Sequence, residues 1–167
     1  MMDFHSLYSH DFVRVAACVP KASVAEPAFA VEETLALAAA GDRAKVAVML
    51  FPELGISSYA IDDLVLQDAL LEAVQAALGR LIEASRALFP VLVVGAPLRH
   101  GPRLFNTAVV IHRGTVVGVV PKAFPPNYRE FYERRHFATG LNVRGATITV
   151  AGINAPFGLD LLFRSAG

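Results

Sequence analysis

The chain has no tryptophan, one cysteine (Cys18) and no net charge, since 15 Lys and Arg offset 15 Asp and Glu. Each shortage closes off a class of function. One thiol cannot form an internal disulfide and is too few for a structural zinc site, so a reducing, cytoplasmic setting is expected. The 5 histidines show no H-E-x-x-H spacing, so no zinc-protease helix is encoded. A pI near 7.0 and the absence of a basic stripe among aromatics argue against a nucleic-acid partner. A membrane span is not expected either. The uncharged stretch 145–159 is interrupted by Gly152, Asn154 and Pro156 and is too short for a bilayer. Met1-Met2-Asp3-Phe4-His5 lacks the basic-then-apolar layout of a signal peptide.

What is abundant is apolar side chain. Hydrophobic residues make up 54% of the chain and the mean hydropathy is +0.48. At 167 residues this is one domain with a sizeable core. So apolar a composition predicts a layered α/β fold in which both faces of a sheet are covered. A neutral, apolar chain also favours self-association.

Residues 12–19 form a β-rich run stopped by Pro20, a first strand. A helix is expected to open at Glu26-Pro27, proline suiting its first turn, and to close at Gly41 as a C′ glycine. Strand two is 46–50. A longer helix is expected after Asp62-Asp63, either of which could cap it. Its stripe is Leu71, Val74, Leu78 and Leu81, at steps of three and four, with Gly79 a local weakness. Strand three is 91–95. Residues 105–112 and 116–120 flank Arg113-Gly114-Thr115, a three-residue hairpin signal. The β-α-β-α-β rhythm thus passes into antiparallel strands, which predicts a mixed sheet. Residues 121–140 show no period, and loops of that length are usually functional. Residues 146–150 read as another strand. The apolar residues 159–163 run into Arg164-Ser165-Ala166-Gly167 with no closing helix, and the domain, 1–167, is expected to be incomplete there.

Two charged residues stand where α/β proteins keep their chemistry, at the exits of buried strands. Phe51-Pro52-Glu53-Leu54-Gly55 follows strand two, and Val120-Pro121-Lys122 ends the hairpin. A carboxylate among apolar neighbours is partly desolvated and tuned toward a general base, whereas a surface acid is the plainer reading. Lys122 could hold a developing oxyanion; taken alone, an ordinary solvated lysine accounts for it as well. No Walker glycines or hydroxyl accompany it. Tyr128, Phe131 and Tyr132, with Arg129, Glu130, Glu133, Arg134 and Arg135, crowd one loop. They suit either a small zwitterionic substrate or an oligomer contact. Cys18 lies inside an apolar strand and reads as a small buried hydrophobe, not a nucleophile. No G-x-S-x-G elbow replaces it.

On Phe51-Pro52-Glu53-Leu54, Pro121-Lys122 and Asn127-Tyr128-Arg129-Glu130-Phe131-Tyr132-Glu133, the chain resembles the nitrilase, or carbon–nitrogen hydrolase, superfamily. Lys122 follows Glu53 by 69 residues, a separation that suits that family's Glu–Lys–Cys triad. The wording of Phe12-Val13-Arg14-Val15-Ala16-Ala17-Cys18, Val91-Leu92-Val93-Val94-Gly95-Ala96-Pro97-Leu98-Arg99, Asn106-Thr107-Ala108-Val109-Val110-Ile111 and Tyr128-Arg129-Glu130-Phe131-Tyr132-Glu133-Arg134-Arg135 is similar to the N-terminal glutaminase domains of bacterial glutamine-dependent NAD synthetases. The resemblance implies an α-β-β-α sandwich with mixed sheets, of which this chain supplies roughly the first half. It implies Glu53 as general base, Lys122 as oxyanion-stabilising cation and Glu133 as auxiliary acid. Tyr59, Tyr128 and Phe131 would line the glutamine pocket. It places the nucleophilic cysteine beyond residue 167, so the chain alone is expected to be inactive. It further implies a C-terminal synthetase domain in cis that uses ATP and Mg to amidate nicotinic acid adenine dinucleotide. No cofactor is implied in this domain, and a homo-oligomer is expected. Two other readings stay open: a stand-alone amidase, and a non-catalytic assembly domain that kept the fold.

Overall fold

A computed structural model describes residues 6–164. The readings of residues 1–5 and 165–167 lie outside the described residues. Among the described residues seven strands form one mixed sheet: β1 (Val15–Ala17), β2 (Val48–Leu50), β3 (Val91–His100), β4 (Arg103–His112), β5 (Thr115–Pro121), β6 (Ala146–Val150) and β7 (Ile153–Phe157). Their spatial order is β1-β2-β3-β4-β5-β7-β6. β1, β2 and β3 run parallel, joined by helices α1 (Pro27–Arg43) and α2 (Asp68–Ala84); β3, β4 and β5 are antiparallel. This is the mixed α/β architecture that the alternation of segments predicts.

The two helices pack on each other and on one face of the sheet. Alternate β3 residues Leu92, Val94, Ala96 and Leu98 are buried against Val74, Leu78 and Leu81 of the α2 stripe. The other face is open at Val15, Leu50 and Val117, all exposed. The expectation of two covered faces therefore fails for the described residues, and part of the apolar excess sits on that open side.

Several local readings are corrected. β1 is shorter than 12–19, because Phe12 and Val13 find no strand partner and stay exposed. Gly41 is not a C′ residue. It lies inside α1, where an added Cβ would stand 2.2 Å from the Met49 sulfur of β2. Its missing side chain lets helix and sheet close up, and the left-handed residue is Lys45 instead (φ 54). Asp62 and Asp63 do not cap α2. They open a separate 3₁₀ turn, Asp62–Leu66, and α2 starts after Gln67 without a side-chain cap. The hairpin turn has two residues, Arg113 (φ 45) and Gly114 (φ 79), because Thr115 already pairs with His112. Two positive φ values in succession are the twist-compatible turn for such strands. β7 was hidden by Pro156, which is tolerated because pairing with β5 is confined to Phe157.

The loop leaving β2 is stitched onto β3. Phe51 N–H donates to Val93 O (2.9 Å) and Ile56 N–H to Gly95 O (3.1 Å), with Phe51 buried before Glu53 and Leu54 and Ile56 buried after it. Gly95 permits the approach: a Cβ there would lie 2.4 Å from both Leu54 N and Pro52 O. Gly95→Ala is expected to cost about 1–3 kcal/mol through overpacking against backbone. Denaturant unfolding measures it; a variant as stable as the parent shows that the loop yields.

Candidate active site

Three segments meet where β2 ends, β5 ends and the long loop crosses. Glu53 arrives from the β2 exit loop just described. Lys122 follows β5 and is held on both sides, its N–H donating to Asn106 O (2.8 Å) and its carbonyl accepting from Gly140 N–H (2.9 Å). Glu133 opens the 3₁₀ turn Glu133–Arg135, the one regular element that the loop between β5 and β6 contains. Its N–H donates to Pro126 O and its carbonyl accepts from Phe137 N–H.

The side chains converge. Lys122 Nζ donates to Glu53 Oε1 at 2.5 Å and to Glu133 Oε1 at 3.0 Å. Tyr59 hydroxyl donates to the same Glu133 oxygen at 2.7 Å, and Asn106 Nδ2 donates to Glu53 Oε1 at 2.5 Å. A single ammonium is thus shared by two carboxylates from distant parts of the chain. Burial, the largest single influence on Lys122, pulls its pKa down, but hydrogen bonds and charge from Glu53 and Glu133 outweigh it and leave the pKa raised. Tyr59 is pushed well above the usual phenol range, first by burial and then by Glu133, so it acts there as a donor.

The two acids differ. The Glu53 side chain is 45% exposed and faces a cleft of about 490 Å³ on the open side of the sheet, lined also by Leu50, Val93, Gly95, Asn106 and Lys122. It is less desolvated than its apolar neighbours in sequence imply. Glu133 is 7% exposed, and its Oε2 is buried with no hydrogen-bond partner among the described residues. It lines a second cavity of about 240 Å³ together with Tyr59, Ile61, Phe131 and Phe137. Tyr128 is elsewhere: it is 63% exposed, touches the Phe131 ring (centroids 6.0 Å apart), and lines an outer groove with Lys122, Phe124 and Arg134. Cys18 does not line the Glu53 cleft. It packs against the main core, and burial raises its pKa, the opposite of an activated thiolate. Among the described residues no group of three or more His, Cys, Asp or Glu could hold a metal ion. No helix among them is long and apolar enough to cross a membrane.

Residues that local reading missed complete the site. Asn106 is 3% exposed, and a buried amide in an apolar strand is the signal that could have found it. Farther out, Asp63 receives Arg135 Nε and Nη2 at 2.8 and 2.7 Å and lies 2.8 Å from His136 Nε2, while Tyr132 hydroxyl donates to Asp62. Arg135 first, then His136, holds the Asp63 carboxyl well below the usual carboxylate range.

The mixed sheet thus brings one acid and a lysine from its strand exits together with a second acid from the long loop. Residues 13–154 match the carbon-nitrogen hydrolase family, and the chain belongs to it. It is 53% identical over 165 residues to the glutamine-dependent NAD(+) synthetase of Mycobacterium bovis, a match that takes in 99% of this chain and 24% of that protein. The enzyme of the same name from Xanthomonas campestris is 37% identical over 117 residues, 70% of this chain and 21% of its own. The chain thus spans about a quarter of the length of these relatives. Among solved structures, a glutamine-dependent NAD(+) synthetase from Cytophaga hutchinsonii superposes with a TM-score of 0.81 at 24% identity, over 92% of this chain and 26% of that one. An amidase from Nesterenkonia gives 0.66 at 20% identity, over 85% of this chain and 53% of its own. These two share the fold.

Because the pKa of Lys122 is raised above its ordinary 10.5, its contribution to stability is fully present below that value and is lost as pH climbs through the raised one. The stability gap between the parent and Lys122→Met should therefore be flat from neutral pH to about 9 and close only in strong alkali. Unfolding curves across pH check this; a gap that closes near neutrality means the ammonium is not held between the two acids.

Proposed function

We propose that this chain is the amide-hydrolysing part of a glutamine-dependent NAD synthetase. The observation that carries the reading is one ammonium, Lys122, within 3.0 Å of both Glu53 and Glu133 at the mouth of a cleft. The 53% identity to the mycobacterial synthetase supports the choice of glutamine over other amides.

The chemistry follows from what each group can hold. A thiol entering the cleft gives its proton to Glu53, and its sulfur bonds to the side-chain amide carbon of glutamine. The carbonyl oxygen becomes an oxyanion beside Lys122 and a backbone N–H. The proton held by Glu53 passes to the amide nitrogen, the C–N bond breaks and ammonia leaves. Water then cleaves the thioester to glutamate. Tyr59 and Phe131 wall the cavity next to Glu133, and Tyr128 stands outside it, against the Phe131 ring. In this reading the thiol is not Cys18 but a cysteine that follows residue 167 in the full-length protein. The ammonia is used in cis by a synthetase domain that amidates nicotinic acid adenine dinucleotide with ATP and Mg. The reaction is cytoplasmic, which a free thiol supports, and the assembly is a homo-oligomer.

In the full-length protein, Glu53→Gln and Lys122→Ala should each remove glutamine-driven NAD synthesis while synthesis from ammonium chloride continues. Survival of the glutamine-driven rate in either variant overturns the assignment of roles. Residues 1–167 alone should release no ammonia from glutamine; a rate that vanishes with Cys18→Ser would falsify the placing of the nucleophile. Hydrolysis of simple amides but not glutamine would point to a stand-alone amidase, and no hydrolysis at all to an assembly domain.

A further inference from the structure

Glu133 sits in a loop with little structure of its own. Between Pro121 and Ala146 the chain makes one 3₁₀ turn, and it passes through a left-handed residue at Arg129 (φ 53). Yet Glu133 must stay within reach of Lys122, because its remaining side-chain partner, Tyr59, comes from another part of the chain. On the loop's inner side Ala138 N–H donates to Leu104 O (2.8 Å) and Phe137 is buried; the residues next to Glu133 are tied on the outer side. Arg135 meets Asp63 through two parallel N–H···O contacts of 2.8 and 2.7 Å, His136 joins the same carboxylate, and Tyr132 bonds the adjacent Asp62.

Three loop residues flanking Glu133 are therefore pinned to one 3₁₀ turn, the one that begins three residues after Tyr59. Tyr59 holds Glu133 from within, and the aspartates hold its neighbours from outside. We propose that Asp63 and Arg135 are a positioning pair: their bidentate contact fixes the loop so that Glu133 Oε1 reaches Lys122. The proposal rests on the amide-hydrolase reading for its effect on rate, but not for the effect on the loop.

The type of contact matters here. Arg135 and Asp63 are 62% and 58% exposed, and exposed ion pairs add little to global stability. A guanidinium–carboxylate fork does fix orientation, which a point contact cannot. Its value is angular, at a site where a misplacement of about 1 Å can cost on the order of 100-fold in rate.

The test compares Asp63→Asn, Arg135→Lys and the exchange D63R/R135D in the full-length protein. In both single variants kcat and kcat/KM for glutamine should fall together by about 10- to 100-fold, since the lost support acts at the reacting groups. Synthesis from ammonium chloride and the thermal midpoint should hold, and the double exchange should recover most of the loss. A purely structural pair would instead lower the midpoint and both reactions alike. Unchanged kcat in the single variants, or no recovery in the exchange, overturns the proposal. Amide hydrogen exchange at His136 and Phe137, whose N–H groups donate to Glu133 O, supplies a readout free of substrate. Should the parent protein fail to hydrolyse glutamine, the function reading falls. The pair is then judged by exchange alone: faster exchange in Asp63→Asn upholds it, and parent-like exchange overturns it.

Discussion

One ammonium group organises the candidate site. Lys122 stands between two carboxylates that would otherwise repel each other, and each accepts a hydrogen bond from it on an oxygen carried by a different segment. Without it, Glu53 and Glu133 have no reason to approach. With it, the β2 exit loop, the end of β5 and the long loop share a single fixed point. Glu53 lines the cleft, while the second oxygen of Glu133, Oε2, is buried with no partner among the described residues.

The sheet supplies the rigidity that a shared charge needs. Asn106 stands opposite Pro97 on β3, and the next residue, Thr107, stands opposite Pro121 on β5. Asn106 therefore serves both catalytic candidates, its amide bonding Glu53 and its carbonyl accepting the N–H of Lys122. Gly95, one strand over, gives up its side chain so that the Glu53 loop can lie directly on β3. A strand register, a buried amide and an absent methyl thus set the spacing between the acid and the cation.

Much of this was legible in the sequence, and the part that was not has a common cause. Glu53 and Lys122 stand out because each ends an apolar β-run, a signal carried by a few adjacent residues. The α2 stripe and the mixed sheet are legible for the same reason. Asp62 and Asp63 do not cap a helix as the local capping rule expects, because their partners lie 70 and 72 residues away. Gly41 was misread as a helix stop for a similar reason, since Met49 of the neighbouring strand decides its role. Asn106 needed the β3–β4 register before its amide had a direction. Tyr128 and Phe131 are close in sequence, yet a loop without period gives no way to tell that one faces out and the other in.

The charge count of the cluster bears on how the proposed reaction proceeds. Two carboxylates and one ammonium leave an excess negative charge beside the cleft, which suits taking up a proton and does not suit holding an oxyanion. Those two demands come in sequence. When Glu53 accepts the thiol proton it becomes neutral, and its hold on Lys122 weakens at the moment the carbonyl oxygen turns negative. The ammonium is then free to exchange one anionic partner for another without moving far, while Glu133, buried and fixed by Tyr59, keeps it from leaving. In the proposed reaction one proton transfer would thus both prepare the nucleophile and release the oxyanion's counter-charge.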